Sequence, residues 1–329
     1  MSGIIGHTMY AIHAVQIAEE RKLPIAPALR EHFPSYLAGA YLGCDIQVMP
    51  EAVCMDTGRE VGFGTVPLEE SPLTGGAVRQ WFLVHDDQRY RPGRIHELFY
   101  GRSHLVFGWR GTEVNLAVPW DHLADYWALV VQDWRALHEP SERGLAWLFG
   151  WMVHIVGDSL IKSVRPGITM HLLDGIYTPR NRPIQDLYTF HEIGVKEMRL
   201  QWAKLFDEMA ATPVEPIQLH YMRIAPTGGA LGRTFTGGWK PEHAGLLQAV
   251  LRENHRWVTQ HAADVLRDMA LTEGGDGPVV SAAVSKVTSG LTFPQMIALA
   301  EKAQFRRTLR LIAEEAVGLF ERVLALTPR

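Results

Sequence analysis

Between Leu145 and Ile161 the chain is almost continuously apolar, yet this run carries His154-Ile-Val-Gly-Asp158. A helix places residues four apart on one face, so an imidazole and a carboxylate project together from an otherwise greasy rod. Burying a carboxylate without compensation is costly. The interior must therefore hold either a His–Asp hydrogen bond or a divalent cation at this point. The run is about 17 residues long, at the lower limit for crossing a bilayer. Because two polar residues interrupt it, we read it as a core helix rather than a membrane span.

The rest of the composition narrows the class. A formal charge of −4 argues against nonspecific binding to nucleic acid or to anionic membrane. Two cysteines, Cys44 and Cys54, are too few for a disulfide framework and fit a reducing compartment. The first residues lack the basic region and apolar run of a secretory signal. The expectation is a soluble cytoplasmic protein.

Helical periodicity dominates the chain. It runs through Thr8 to Lys22, Pro34 to Leu42, Ile95 to Phe107, His122 to His138 and the central run. In the C-terminal part it continues through Leu187 to Met209, Pro241 to Leu271 and Phe293 to Leu326. Residues 50–93 are rich in Gly, Pro and acidic residues and read mainly as loop. We find no repeat and no run of alternating strands. The predicted fold is all-α, a single helical domain over 1–329, with a metal-site core in 1–200 and a C-terminal helical extension in 201–329.

Possible metal ligands gather before about residue 195: His7, Asp45, His104, His154 and Asp158. Two carboxylates and several imidazoles suit zinc or a similar divalent ion. The chain has fifteen histidines, and most of the others read as surface or core residues. His85-Asp86-Asp87 reads as an exposed acidic turn rather than a metal-binding pair. The ten tryptophans read as packing.

Four blocks in this order resemble the zinc-dependent phospholipase C superfamily, which includes the trinuclear zinc nucleases and the N-terminal domain of glycosylphosphatidylinositol-specific phospholipase D. They are Ser2-Gly-Ile-Ile-Gly-His-Thr8, Tyr36-Leu-Ala-Gly-Ala-Tyr-Leu-Gly-Cys-Asp45, Arg102-Ser-His-Leu105, and the stretch from Leu145 to Asp158. The resemblance implies a helical fold with a metal cluster in a cleft. Asp45, His104, His154 and Asp158 would hold one zinc. Asp158 would bridge to a second, held by His7 and by a terminal amine that removal of Met1 exposes on Ser2. His13 competes with His7 for that role.

The third site of that family departs here. No histidine follows in Ser159 to Pro166, and His191 is followed four residues later by Val195. Either His191 and His171 rebuild the site, or the ammonium of Lys162 replaces the charge of the third ion. The implied activity is metal-dependent hydrolysis of a phosphate ester, with Asp45 as ligand and general base. Arg102, Lys162 and Arg165 are candidates for balancing the developing negative charge. The substrate could be a small phosphorylated metabolite, a nucleotide or a lipid. Two alternatives stay open: a helical di-iron oxygenase or oxidase using His and carboxylate ligands, and a non-catalytic relative acting as a binding module. Arg306, Arg307 and Arg310 on the last helix suit either a homo-oligomer interface or an intramolecular role.

Overall fold

The structure, a computed structural model, describes residues 3–42, 49–50, 52–56, 60–61, 76–95, 98, 120–137, 141–161, 171–173, 178, 181–213, 244–275 and 277–327. Its first helix, α1 (Ile4–Glu20), ends just before Lys22, whose φ of 54° is left-handed. A short α2 (Ala26–Glu31) carries Pro27 in its first turn, where a missing N–H costs nothing. Helix α3 (Phe33–Leu42) follows.

The stretch read as loop contains small antiparallel sheets, so the chain is mostly helical rather than purely so. Strands β1 (Ala52–Cys54), β2 (Glu60–Val61) and β3 (Val78–Gln80) pair in the order β2-β1-β3, with Ala52 opposite both Val61 and Gln80. Strands β4 (Leu83–His85) and β5 (Gln88–Tyr90) form a hairpin. Asp86 and Asp87 turn it with φ of 47° and 59°, the paired left-handed geometry of tight hairpins that aspartate tolerates. The His85-Asp86-Asp87 triplet is thus a turn, with the Asp86 side chain 87 % exposed.

Helix α4 (Leu123–Leu137) precedes the central helix α5 (Glu142–Ile161). Then come α6 (Asn181–Leu187), a π-helical stretch (Tyr188–Glu197), α7 (Trp202–Ala210) and α8 (Ala244–Met269). A hairpin of β6 (Thr272–Gly274) and β7 (Gly277–Val279) leads to α9 (Ala282–Val287), α10 (Phe293–Lys302) and α11 (Phe305–Leu326). Two helices expected to be continuous are broken. Arg199 (φ 53°) separates the π-helical stretch from α7, and Gln304 (φ 54°) separates α10 from α11. Neither position is a glycine or a proline, so the apolar period runs through both breaks unmarked.

One apolar cluster extends from Ile4 to Val323 and centres on α5. Helices α1, α3 and α11 pack around it. Trp127 meets Trp151 edge-to-face at 4.6 Å, and Phe149 meets Phe320 at 4.9 Å. Helix α5 is long and apolar enough to cross a membrane, but 94 % of its apolar window is covered by the rest of the chain. Arg306 makes paired contacts with Glu197, and Arg310 contacts Glu314 at 2.8 Å. Both arginines are therefore engaged within the chain.

Contact between α3 and α5 is close because both helices carry glycine at the crossing. A Cβ at Gly39 would collide with the Trp147 carbonyl, and one at Gly150 with the Tyr36 carbonyl. Two turns further along α5, a Cβ at Gly157 would press on the Tyr10 ring of α1, 2.8 Å from its nearest carbon. The Tyr36 hydroxyl ties α3 to α1 by donating to Ala11 O at 3.0 Å.

Candidate metal centre

Close approach of these three helices brings His7, His154 and Asp158 into one buried group. The two histidines are 1 % exposed and Asp158 is 5 % exposed. One ligand atom from each lies within 4.8 Å of the others. His7 Nε2 stands 3.4 Å from Asp158 Oδ1, and His154 Nε2 stands 3.9 Å from Asp158 Oδ2. The two imidazoles are stacked with centroids 4.0 Å apart and planes 1° from parallel.

The hydrogen bonding of His154 settles its tautomer. Its Nδ1 lies 2.8 Å from Ala40 O, and because a carbonyl can only accept, Nδ1 carries the proton. In the neutral ring Nε2 then presents its lone pair toward Asp158. Such a backbone contact is the usual way of orienting a metal-bound imidazole. The Gly39–Gly150 crossing makes it possible, since Ala40 can reach His154 only if α3 lies against α5.

His7 supplies the test of fit. Both its ring nitrogens are buried without a hydrogen-bond partner among the described residues, and each such atom costs about 1–3 kcal/mol if left unsatisfied. An imidazole nitrogen and a carboxylate oxygen are standard zinc donors, and the group offers two such pairs. A tetrahedral ion with bonds of about 2.0–2.1 Å separates neighbouring donors by roughly 3.3 Å. The His7–Asp158 spacing of 3.4 Å already matches, and the His154 spacing of 3.9 Å needs only a small shift. The group can hold a metal ion.

Compared with protein-family models, with curated proteins and with solved structures, the chain matches none.

Other candidate residues fall in three places. Asp45, Arg102, His104, Lys162 and Arg165 lie outside the described residues. His191 is described, and it stands apart from the group. Its Nε2 donates to Met269 O at 2.8 Å, and its ring is wedged between Phe190 and Phe293. Burial holds its pKa below the ordinary histidine value. The π-helical turn carries it into this apolar slot, with Val195 exposed nearby. His13 is half-buried and bonds Gln16 Oε1 at 3.3 Å, in the field of Arg306 and Arg310 on α11. It therefore does not compete for the place of His7. The His171 carbonyl accepts from Thr308 Oγ1, and its side chain is not part of the group.

The structure also shows neighbours that sequence reasoning passed over. Asp186 on α6 is buried, and burial pushes its carboxyl up, while Arg182 and, more weakly, His7 pull it back. The one available signal was the i,i+4 spacing of Arg182 and Asp186. Tyr41 lies 6.3 Å from the His7 ring, and His261 of α8 stacks on Tyr41 at 6.2 Å. The C-terminal extension thus reaches the wall of the site.

Proposed function

We propose that the chain is a metal-dependent hydrolase of phosphate esters, built around a zinc-type centre of two ions. One observation carries this reading: a single buried carboxylate turns its two oxygens toward two different imidazoles that stand side by side and parallel. An ion would lie close to the plane of each imidazole that binds it, and two stacked parallel planes share no such point. Parallel rings, each facing its own oxygen, suit an aspartate shared between two ions. The resemblance to zinc-dependent phospholipase C proteins supports the same assignment, since it independently gives Asp158 the bridging role.

Bound divalent ions would polarise a phosphoryl oxygen and lower the pKa of coordinated water from 15.7 toward about 7. The residues of the chain prepare for this. Ala40 O holds the His154 ring with Nε2 inward. The Tyr10 and Tyr41 rings flank His7 at 5.7 Å and 6.3 Å and keep bulk water from it. In this reading Asp45 and His104 complete the ligand set, Asp45 accepts the proton of the attacking water, and Arg102 and Lys162 offset anionic charge. His191 has no part, because its Nε2 is committed to Met269.

The test is metal analysis on protein purified without a polyhistidine tag, together with a panel of phosphomono- and phosphodiesters. About two zinc ions per chain are expected, with hydrolysis that a chelator abolishes and zinc restores. Asp158→Asn should lose both. Metal-loaded protein that releases nothing from the panel overturns the reading. Near-ultraviolet absorption with bound iron would favour a di-iron oxidase instead.

A further inference from the structure

Gly3 and His7 stand four residues apart at the start of α1, so their side-chain directions share one face. The His7 N–H donates to Gly3 O at 3.1 Å, which fixes that turn. Gly3 has φ −75° and ψ 179°, an extended conformation open to any residue. A side chain here would instead meet the far end of an arginine. A Cβ there would lie 3.0 Å from Cζ and Nε of Arg182, and nearer still to Nη2. The guanidinium thus fills the place of a side chain on the His7 face, one turn of about 5.4 Å away along the helix.

Arg182 is held in that place by Asp186, one turn further along α6, with Nε 3.4 Å from Oδ2. The Asp186 side chain is 12 % exposed, whereas Arg182 is 37 % exposed. Sinking a carboxylate beneath a half-open arginine adds little stability, because desolvation offsets most of the attraction. It does aim a cation. Gln185 extends the same polar face: it is fully buried, and its amide N and O have no hydrogen-bond partner among the described residues.

We propose that Arg182 binds the phosphoryl oxygens of the substrate, and that Asp186 is a positioning residue directing the guanidinium across Gly3 to the His7 side of the centre. This inference rests on the hydrolase reading above. The ligand class is a phosphate mono- or diester anion. A guanidinium has five N–H donors in a planar fork, so a contact to Asp186 through Nε is compatible with paired contacts to phosphate. Lysine in its place keeps the charge and loses the fork.

The experiment is calorimetric titration of inorganic phosphate into the zinc-loaded full chain, with zinc content and thermal unfolding measured on the same samples. Arg182→Gln should weaken phosphate binding roughly 10-fold or more, as expected for a charged hydrogen bond, with Arg182→Lys intermediate. Gly3→Ala keeps the arginine and displaces it, and should weaken phosphate binding as well. Asp186→Asn should weaken it without adding to Arg182→Gln in the double variant, and Asp186→Glu should restore part of the loss. Zinc content should stay at the wild-type level throughout. Phosphate affinity unchanged in both Arg182→Gln and Gly3→Ala overturns the proposal, as does loss of zinc together with phosphate in Arg182→Lys. Wild-type protein that holds no zinc overturns the hydrolase reading, a result distinct from a zinc-loaded protein indifferent to Arg182.

Discussion

Replacing Gly150 by alanine should damage both the fold and the metal centre through a single displacement. The new methyl would collide with the Tyr36 carbonyl and approach Ala40 N to 2.9 Å. These are backbone atoms of a packed helix, so α3 as a whole must move. Overpacking of this kind costs about 1–3 kcal/mol, and rigid backbone neighbours place it at the upper end. Alanine returns about 1 kcal/mol of helix propensity. The net loss is about 2 kcal/mol, a fall in Tm of roughly 4–8 °C or somewhat less for a chain of this size. The same displacement carries Ala40 O away from His154 Nδ1, now at 2.8 Å. Loss of such an orienting contact lowers metal affinity about 10- to 100-fold. Gly318→Ala is the matched control, since its Cβ would meet only Arg322 Nη1 at 3.7 Å. It should be neutral or raise stability by up to about 1 kcal/mol. Differential scanning calorimetry and zinc competition with a chromophoric chelator measure both quantities. Gly150→Ala melting at or above wild type would refute the packing argument. A lowered Tm with unchanged zinc affinity would refute the coupling.

Wild-type protein should gain about 2.7 kcal/mol of stability per bound ion when zinc is present at one hundred times its Kd, and Asp158→Asn should gain none; a zinc-dependent rise in its Tm would place the ions elsewhere. Burial holds the pKa values of His13, His191 and His255 below the ordinary value of 6.5. The unfolded chain therefore takes up protons first, so metal-free stability is complete above about pH 6.5 and declines as pH falls through the folded-state values. Urea unfolding of His255→Gln should show a shallower decline than wild type, and an identical slope would contradict this assignment. The Arg306–Glu197 pair has both side chains 49 % exposed, so a double-mutant cycle should give a coupling below about 1 kcal/mol despite its paired contacts.

What the sequence showed and what it hid follow from the range of the interactions. His154 and Asp158 share a helix face by local geometry, so their pairing was legible from spacing alone. His7 was singled out by a block resemblance, and only folding could show its ring stacked on His154. The breaks at Arg199 and Gln304 were illegible, because a left-handed residue without glycine leaves no mark on the apolar period. The small sheets of 52–90 were hidden for a similar reason. Strands of two or three residues are too short to display alternation. The place of Arg182 over Gly3 depends on residues far apart in sequence. Residue type and order suggested His191 as a ligand, whereas the partner of its Nε2, Met269 O, comes from a segment 78 positions away.

The glycines of α3 and α5 connect these observations. A helix as apolar as α5 can be buried in many ways, and larger residues at the crossing would have filled the gap with dispersion contacts. Glycine at 39 and 150 instead sacrifices helix propensity, about 1 kcal/mol at each position. In return the backbones touch, and a carbonyl of α3 comes within reach of an imidazole on α5. Gly157 leaves room for the Tyr10 ring of α1, the helix that carries His7 to the group. Small residues placed where three helices meet a buried His–His–Asp group are hard to explain by stability alone, since an apolar group of the same shape would cost less desolvation. They are the expected outcome if the packing is arranged around the donor atoms. An all-apolar replacement of His7, His154 and Asp158 should then leave the helices assembled and raise stability in chelator, while removing every response to zinc.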